Sequence, residues 1–337
     1  MKKKILVTGG LGFIGSHTSL KLLEKDYDLI ILDNLSNSKI EVKDVIRSLI
    51  NKDFEFIEGD IRDKNLLRKI FKTNHIEFVI HFAGLKSVIN SGKLPLEYYE
   101  NNVLGSLNLI QEMHYAGIKS IVFSSSASVY GNSKFTKCSE DSPLVPISVY
   151  GKTKLIIEDI LRDLHISDSS WKIINLRYFN PIGAHSSGLL GEDPNLEATN
   201  LIPLITNVAS GKSKELLVFG GDYNTSDGTG KRDYIHVEDL ANGHIAALEK
   251  MKLETSLCID INLGTGKSYS VLDVIKTFEK VSKREIPYRI TKRRKGDIDE
   301  LCADPEFANN FLNWKAQYDL EKMCLDSWNC KVIVENL

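Results

Sequence analysis

The 337-residue chain is predicted to be α/β: a doubly wound parallel sheet with a second, smaller mixed α/β domain. Three observations carry this. Short apolar runs alternate with helical patterns, a glycine loop follows the first run, and after about residue 180 the rhythm gives way to turn-rich stretches.

The runs are Ile5–Val7, Leu29–Leu32, Phe54–Ile57, Phe78–Phe82, Ile121–Phe123 and Ile173–Leu176. They are nearly all apolar, as strands covered on both faces are. Between them the helical patterns are Ser16–Lys25, Glu41–Leu49, Lys64–Phe71, Pro95–Tyr115 and Tyr150–Leu164. Strand then helix, repeated, builds β-α-β units and a parallel sheet. Beyond 180 come Asn180–Gly183, Gly188–Pro194 and Gly220–Gly230, with Leu216–Phe219 and Cys258–Leu263 read as isolated strand-like pieces. The division expected is 1–180, with part of 232–264 joining it, for dinucleotide binding, and 181–337 for the second domain.

Composition excludes several classes. Forty-three Lys and Arg against forty-five Asp and Glu leave a net charge of −2, a poor basis for a nucleic-acid or membrane-surface binder. No apolar run approaches the roughly 18 residues of a membrane span. The opening run, from Ile5 to the glycines at 9 and 10, is too short for a signal-peptide core. The five cysteines are odd in number and contain no C-x-x-C, so no disulfide framework or zinc site is indicated. A cytoplasmic protein without metal is expected.

The first run enters Thr8-Gly9-Gly10-Leu11-Gly12-Phe13-Ile14-Gly15-Ser16. Gly10, Gly12 and Gly15 fit G-x-G-x-x-G, and Gly9, Gly12 and Gly15 fit a looser G-x-x-G-x-x-G. Such a loop turns tightly and lets backbone approach a pyrophosphate at a helix N-terminus. As a bare pattern it is weak; its place after a strand opening a β-α-β unit makes it a Rossmann-type dinucleotide loop. Asp33 ends the second run 18 residues past Gly15, where an acid binds ribose hydroxyls and repels a 2′-phosphate. The reading is NAD rather than NADP. Asp60, after the third run, suits either the adenine edge or a strand-end turn. Gly266-Lys267-Ser268 imitates a P-loop end, but position 261 is Ile where that motif requires glycine.

Tyr150 and Lys154 are four apart on a helical pattern and share a face. Tyr-x-x-x-Lys is common by chance; here it follows a dinucleotide loop and Ser124-Ser125-Ser126 at the end of the fifth run. The neighbouring ammonium is expected to favour the Tyr150 phenolate. Ser126 can relay a proton, since a hydroxyl donates and accepts; Ser124 and Ser125 read as turn serines. His81, at a strand end, reads as packed and hydrogen-bonded. The basic run Lys292–Lys295 suits a solvated face or an anion site equally well.

Together these stretches resemble the extended short-chain dehydrogenase/reductases, and within them the UDP-hexose 4-epimerases, over almost the whole chain. The more particular runs are Gly84-Leu85-Lys86, Gly183-Ala184-His185 and Asp227-Gly228-Thr229-Gly230 with Arg232-Asp233-Tyr234; Leu176-Arg177-Tyr178-Phe179-Asn180-Pro181 and Gly191-Glu192-Asp193-Pro194 accompany them. The resemblance implies interconversion of UDP-glucose and UDP-galactose. A C4 hydride would pass to bound NAD, the 4-keto sugar would turn over, and the hydride would return. It implies Ser126, Tyr150 and Lys154 as the catalytic set. NAD contacts are implied at Gly9, Gly12, Phe13, Ile14, Gly15, Asp33, Asn34, Asp60, Ile61, Phe82, Ala83, Lys86, Asn101 and Phe179, besides Tyr150 and Lys154. For the UDP-sugar it implies Asn180, Asn200, Leu201, Phe219, Arg232, Arg294, Asp297 and Leu301, besides Lys86, Ser126 and Tyr150. A homodimer through the patterns Pro95–Tyr115 and Tyr150–Leu164 is implied too.

Three positions depart from the family pattern. Thr199 replaces an Asn, Val149 replaces the Pro before the catalytic tyrosine, and Leu301 stands where members carry Tyr or Cys. A sibling 4,6-dehydratase would carry Asp-Glu directly after the catalytic serine, and a decarboxylase Glu at the second of those positions. Here they are Ala127-Ser128. The alternative of another class is a catalytically inactive NAD-binding scaffold, against which the intact Ser126, Tyr150 and Lys154 argue. For UDP-N-acetylglucosamine, Leu301 implies weaker turnover than for UDP-glucose.

Overall fold

The computed structural model describes residues 3–132, 137–192, 199–294 and 296–335. Lys295 of the basic run and Asp193-Pro194 lie outside them. Fourteen strands are named in chain order. β1 (Lys4–Thr8), β2 (Asp28–Asp33), β3 (Glu55–Glu58), β4 (Ile76–His81), β5 (Ser120–Ser126), β7 (Lys172–Tyr178) and β11 (Leu257–Leu263) form the large sheet. β6 (Lys137–Cys138), β8 (Asn180–Ile182), β9 (Leu216–Phe219), β10 (Lys231–His236), β12 (Ser268–Ser270), β13 (Tyr288–Thr291) and β14 (Glu300–Ala303) lie outside it.

The large sheet is parallel throughout, in the order β3-β2-β1-β4-β5-β7-β11. Strand order reverses between β1 and β4, where a doubly wound sheet opens a crevice for ligand at its carboxyl edge. Alternating side chains explain the all-apolar runs. Ile5, Val7, Ile31, Ile80, Val122 and Ile174 face one core. Leu6, Ile30, Val79, Ile121, Phe123 and Ile173 face the other. Full burial of each such side chain contributes roughly 1.5–3 kcal/mol. The first core is covered by the helices Phe13–Glu24 and Val237–Leu253, which pack together, the second by Lys64–Thr73, Gly105–Tyr115 and Val149–Ser167.

Three sequence expectations are corrected. The Cys258–Leu263 piece is not isolated: β11 pairs parallel with β7 over seven residues, Leu257↔Lys172 to Leu263↔Tyr178. Leu216–Phe219 is not isolated either; β9 pairs with β13. The Pro95–Tyr115 pattern is not one α-helix. It runs as Pro95–Tyr98, a π-helical stretch Tyr99–Leu104, then Gly105–Tyr115. The smaller sheet has the order β12-β10-β14-β6, with β8 beside β10. It receives β6 from the first half of the chain, which pairs with β14.

Candidate active site

The glycine loop is built from close approaches. Gly9 has a positive φ of 69°, and a Cβ there would lie 2.7 Å from Ala83 N. A Cβ on Gly15 would lie 2.2 Å from Gly9 O. The amides of Phe82 and Ala83 donate to Thr8 O, which joins the ends of β1 and β4. Gly12 precedes the helix Phe13–Glu24 and supplies no side-chain cap. The first-turn N–H groups are therefore left for an anion, as a dinucleotide pyrophosphate requires. Asp33, buried at the end of β2, accepts from Leu11 N (3.0 Å), Leu35 N (3.0 Å) and Ser38 Oγ (2.8 Å). A carboxylate has about four acceptor positions, so one stays open to a ribose hydroxyl. The residues present thus fit a dinucleotide.

Asn34 Nδ2 donates to Asp60 at 2.8 Å. Arg62 forks onto the same carboxylate from Nε and Nη2 (2.9 and 2.8 Å), and its amide donates to it as well. The Arg62 guanidinium holds that carboxyl down at about 2. Asp60 is thus tied as a strand-end turn acid, and this leaves its adenine role unassigned by geometry. Ile61 is buried in the second core, against which Ala83 packs more loosely, and Phe82 packs against the first. Ile14 packs on the core too, and the rings of Phe13 and His17 meet edge on.

Tyr150 and Lys154 lie on the helix Val149–Ser167, which Ser148 caps by accepting from Gly151 N at 3.0 Å. The missing proline is therefore replaced by a side-chain cap. Ser126 ends β5 near Tyr150, where its hydroxyl favours the phenolate. Lys154 Nζ donates to Ser124 O at 2.6 Å and lies 5.8 Å from the centre of the Tyr150 ring. Three residues separated in sequence thus meet at the carboxyl end of the sheet, beside the glycine loop's strand pair.

The electrostatics differ from the expectation. Burial pushes the Tyr150 phenol up to about 12, against the pull of the Ser126 hydroxyl, with Tyr98 adding to the rise. Burial also pulls Lys154 down to about 7, and Glu158 opposes this. The ammonium does not offset desolvation of the phenol, because two charges leaving water together each lose solvation.

His81 is a packed, neutral histidine. Burial drives it down to about 3, with Lys154 assisting. Its Nδ1 contacts Thr8 Oγ1 (2.7 Å) and its Nε2 Ser106 Oγ (2.8 Å), below the glycine loop. Ser106 donates onward to Asn102 O, so it accepts from Nε2–H. Asn102, from the π-helical stretch, bonds Leu85 through both ends of its amide and Thr153 through its NH2. It thereby joins the Lys86 loop to the catalytic helix. Asn101 points its amide at Asn102 Oδ1 (2.9 Å).

Across the cleft, β10 and β14 pair with Arg232 opposite Leu301. Leu301 packs in a cluster with Ala127, Val129, Tyr130 and Phe179, next to Ser126. Arg232 Nη1 donates to Lys231 O and Ile298 O, and its Nη2 lies 3.9 Å from Asp297. The Arg294 guanidinium stacks 3.8 Å from the centre of the Phe219 ring. The two guanidiniums flank Asp297, an arrangement suited to a diphosphate and a nearby hydroxyl donor. Asn180 is exposed on β8. Asn200 precedes the helix Leu201–Ala209 without capping it. Its NH2 donates instead to Glu192 (2.7 Å), which also accepts from Lys86 Nζ (2.8 Å). Glu192, Asn102 and Glu158 were not singled out as site residues by sequence; only Glu158 carried a usable signal, its spacing of four from Lys154.

This is the arrangement of a dinucleotide-dependent oxidoreductase-type enzyme that uses a serine, a tyrosine and a lysine on one sheet edge. The chain belongs to the NAD dependent epimerase/dehydratase family, whose model matches residues 5–264. It is 52% identical over 324 residues to the UDP-glucose 4-epimerase of Bacillus subtilis (strain 168), covering 96% of this chain and 95% of that one. With the UDP-glucose 4-epimerase of Dictyostelium discoideum it shares 49% over 333 residues, covering 99% and 97%. The crystal structure of UDP-glucose 4-epimerase from Bifidobacterium longum in complex with NAD+ and UDP matches with a TM-score of 0.96. That match has 46% identity and covers 99% of each chain.

Proposed function

We infer that this chain is an NAD-dependent UDP-glucose 4-epimerase whose acid–base group is Tyr150. The observation that carries the reading is the meeting of Ser126, Tyr150 and Lys154 between a dinucleotide cradle and a pair of diphosphate-suited arginines. When bound, NAD supplies reversible hydride acceptance at C4 and a positive ring that favours the Tyr150 phenolate.

Tyr150 takes the C4 hydroxyl proton, directly or through Ser126, and returns it to the same oxygen. Ser126 can pass that proton because it both donates and accepts. Lys154, anchored on Ser124 O, holds positive charge beside the phenol ring. Arg232 and Arg294 hold the diphosphate while the sugar presents its other face, and Asp297 accepts from ribose hydroxyls. Asn180, Asn200, Leu201, Phe219 and Leu301 line the UDP-sugar side. Asp33, Asn34, Asp60, Ile61, Phe82, Ala83, Lys86, Asn101 and Phe179 serve the cofactor with the glycine loop. The functional division proposed is a cofactor domain over 1–180, extended by part of 232–264, and a UDP-sugar domain over 181–337.

A homodimer is proposed through the segments Pro95–Tyr115 and Tyr150–Leu164, the first of which bears Leu96, Tyr99 and Leu104. These large apolar side chains are exposed, Leu96 by 81%, and burying them against a second copy would remove apolar surface from water. No helix among the described residues is long and apolar enough to cross a membrane; a cytoplasmic location is proposed. Acid extraction of purified protein should release NAD and no NADP, and Tyr150→Phe should lower turnover by about 10²–10⁴ with UDP binding kept. Release of NADP, or near-wild-type turnover of the variant, contradicts the reading.

A further inference from the structure

Glu158 lies one turn beyond Lys154 and two beyond Tyr150, so the three share a helix face. Its side chain is wholly buried. Oε1 accepts from Ser125 Oγ (2.5 Å) and Arg177 Nε (3.1 Å). Oε2 accepts from Arg177 Nη2 (2.8 Å) and Arg162 Nη2 (2.6 Å). Asp260 on β11 takes a further bond from each guanidinium, at 2.7 and 3.0 Å. The cluster ties β5, the catalytic helix, β7 and β11 together. A buried ion cluster of this kind is weak evidence for stability, since apolar residues of equal volume often serve as well. Its contacts lead instead to Ser125, the residue before Ser126, and its charge acts on the lysine four positions back.

We propose that Glu158 is a positioning residue for the reaction: through Ser125 it fixes the end of β5 that carries Ser126, and it sets a buried carboxylate one turn from Lys154 on the face shared with Tyr150. This rests on the epimerase reading for the roles of Ser126 and Lys154. The surroundings of Lys154 favour it. β5 offers the Ser124 carbonyl and the Phe123 ring. β4 offers His81, kept neutral by burial. Tyr178 of β7 bonds His244, and burial keeps the phenol and the imidazole neutral as well. The Lys86 loop brings the backbone of Gly84, which has no side chain, near Nζ. Among the described residues Glu158 is the single carboxylate whose charge acts on Lys154.

The test compares the pH dependence of kcat for the holoenzyme and its Glu158→Gln, Glu158→Asp and Ser125→Ala variants. Glu158→Gln keeps the shape and removes the charge. Losing a nearby negative charge lowers the proton affinity of both Lys154 and Tyr150, so both limbs should move to lower pH by roughly half to one unit. Glu158→Asp should restore their positions. Ser125→Ala should leave the limbs in place and lower kcat about 3- to 10-fold, with KM unchanged. The ultraviolet phenolate titration of Tyr150, taken against Tyr150→Phe, should show the same displacement in Glu158→Gln. That readout needs no turnover, so it decides the charge effect even if the epimerase reading fails. Wild-type limb positions in Glu158→Gln with only a lower melting temperature, or unchanged kcat in Ser125→Ala, overturn the proposal. If Glu158→Gln does not fold, a displaced profile in Glu158→Asp overturns it.

Discussion

Lys154→Met should make the cofactor-stripped protein more stable while disabling it. The Lys154 side chain is 4% exposed, and burial holds its ammonium from an ordinary 10.5 down to about 7. At about 1.4 kcal/mol per tenfold change in proton affinity, carrying the charge in the folded state costs up to about 5 kcal/mol. Loss of the hydrogen bond to Ser124 O takes back about 1–2 kcal/mol. Relaxation around a methionine of similar length takes back a further share. A net gain of about 2–3 kcal/mol remains. The sign follows from proton linkage. Because the folded affinity is depressed, the unfolded chain binds more protons between about pH 7 and 10.5, so stability rises with pH across that window. Below pH 7 the penalty is fully present. Urea unfolding at pH 6.5 and pH 9.5 reads both quantities. The stability margin of Lys154→Met over wild type should be larger at pH 6.5 than at pH 9.5. A variant less stable than wild type at pH 6.5, or a stability difference independent of pH, would refute the reasoning.

Two further variants probe the loop and the sugar pocket. Gly15→Ala drives a Cβ to 2.2 Å from the backbone oxygen of Gly9; it should cost about 1–3 kcal/mol in thermal unfolding and release protein without NAD, and normal cofactor retention contradicts the close-approach role. Leu301 packs beside Ala127 and Phe179. Leu301→Tyr should keep UDP-galactose turnover and abolish any on UDP-N-acetylgalactosamine, whereas Leu301→Cys should raise the latter. Failure of wild type and Leu301→Cys alike on the N-acetyl sugar removes position 301 as the gate.

The alternation of apolar runs and helices was legible because strands buried on both faces leave no polar positions, as Ile5–Val7 and Ile30–Ile31 illustrate. β11 could not be attached to the sheet from sequence. Its partner β7 lies about eighty residues earlier, and a parallel pairing across that distance leaves no local mark. The π-helical stretch Tyr99–Leu104 was invisible for a related reason: one extra residue per turn changes which side chains meet, not which types occur. The site divides the same way. Glycines, Tyr150 and Lys154 announce themselves by spacing, and Ser126 by its place at the end of a strand. The balance of charge between Tyr150 and Lys154 does not, because it depends on how completely both are removed from water. Glu192 is the sharpest case. Nothing in Gly-Glu-Asp-Pro says that the carboxylate reaches both Lys86 and Asn200 across the cleft.

The most direct test of the central claim is to incubate the purified protein with UDP-galactose, adding no cofactor, and to separate the sugar nucleotides with time. A reaction that returns its hydride consumes no NAD, so UDP-glucose should accumulate to an equilibrium mixture over many turnovers per protein molecule. Tyr150→Phe run in parallel should reach the same mixture far more slowly. Formation of a 4-keto-6-deoxy product, or a strict stoichiometric need for added NAD, would contradict it.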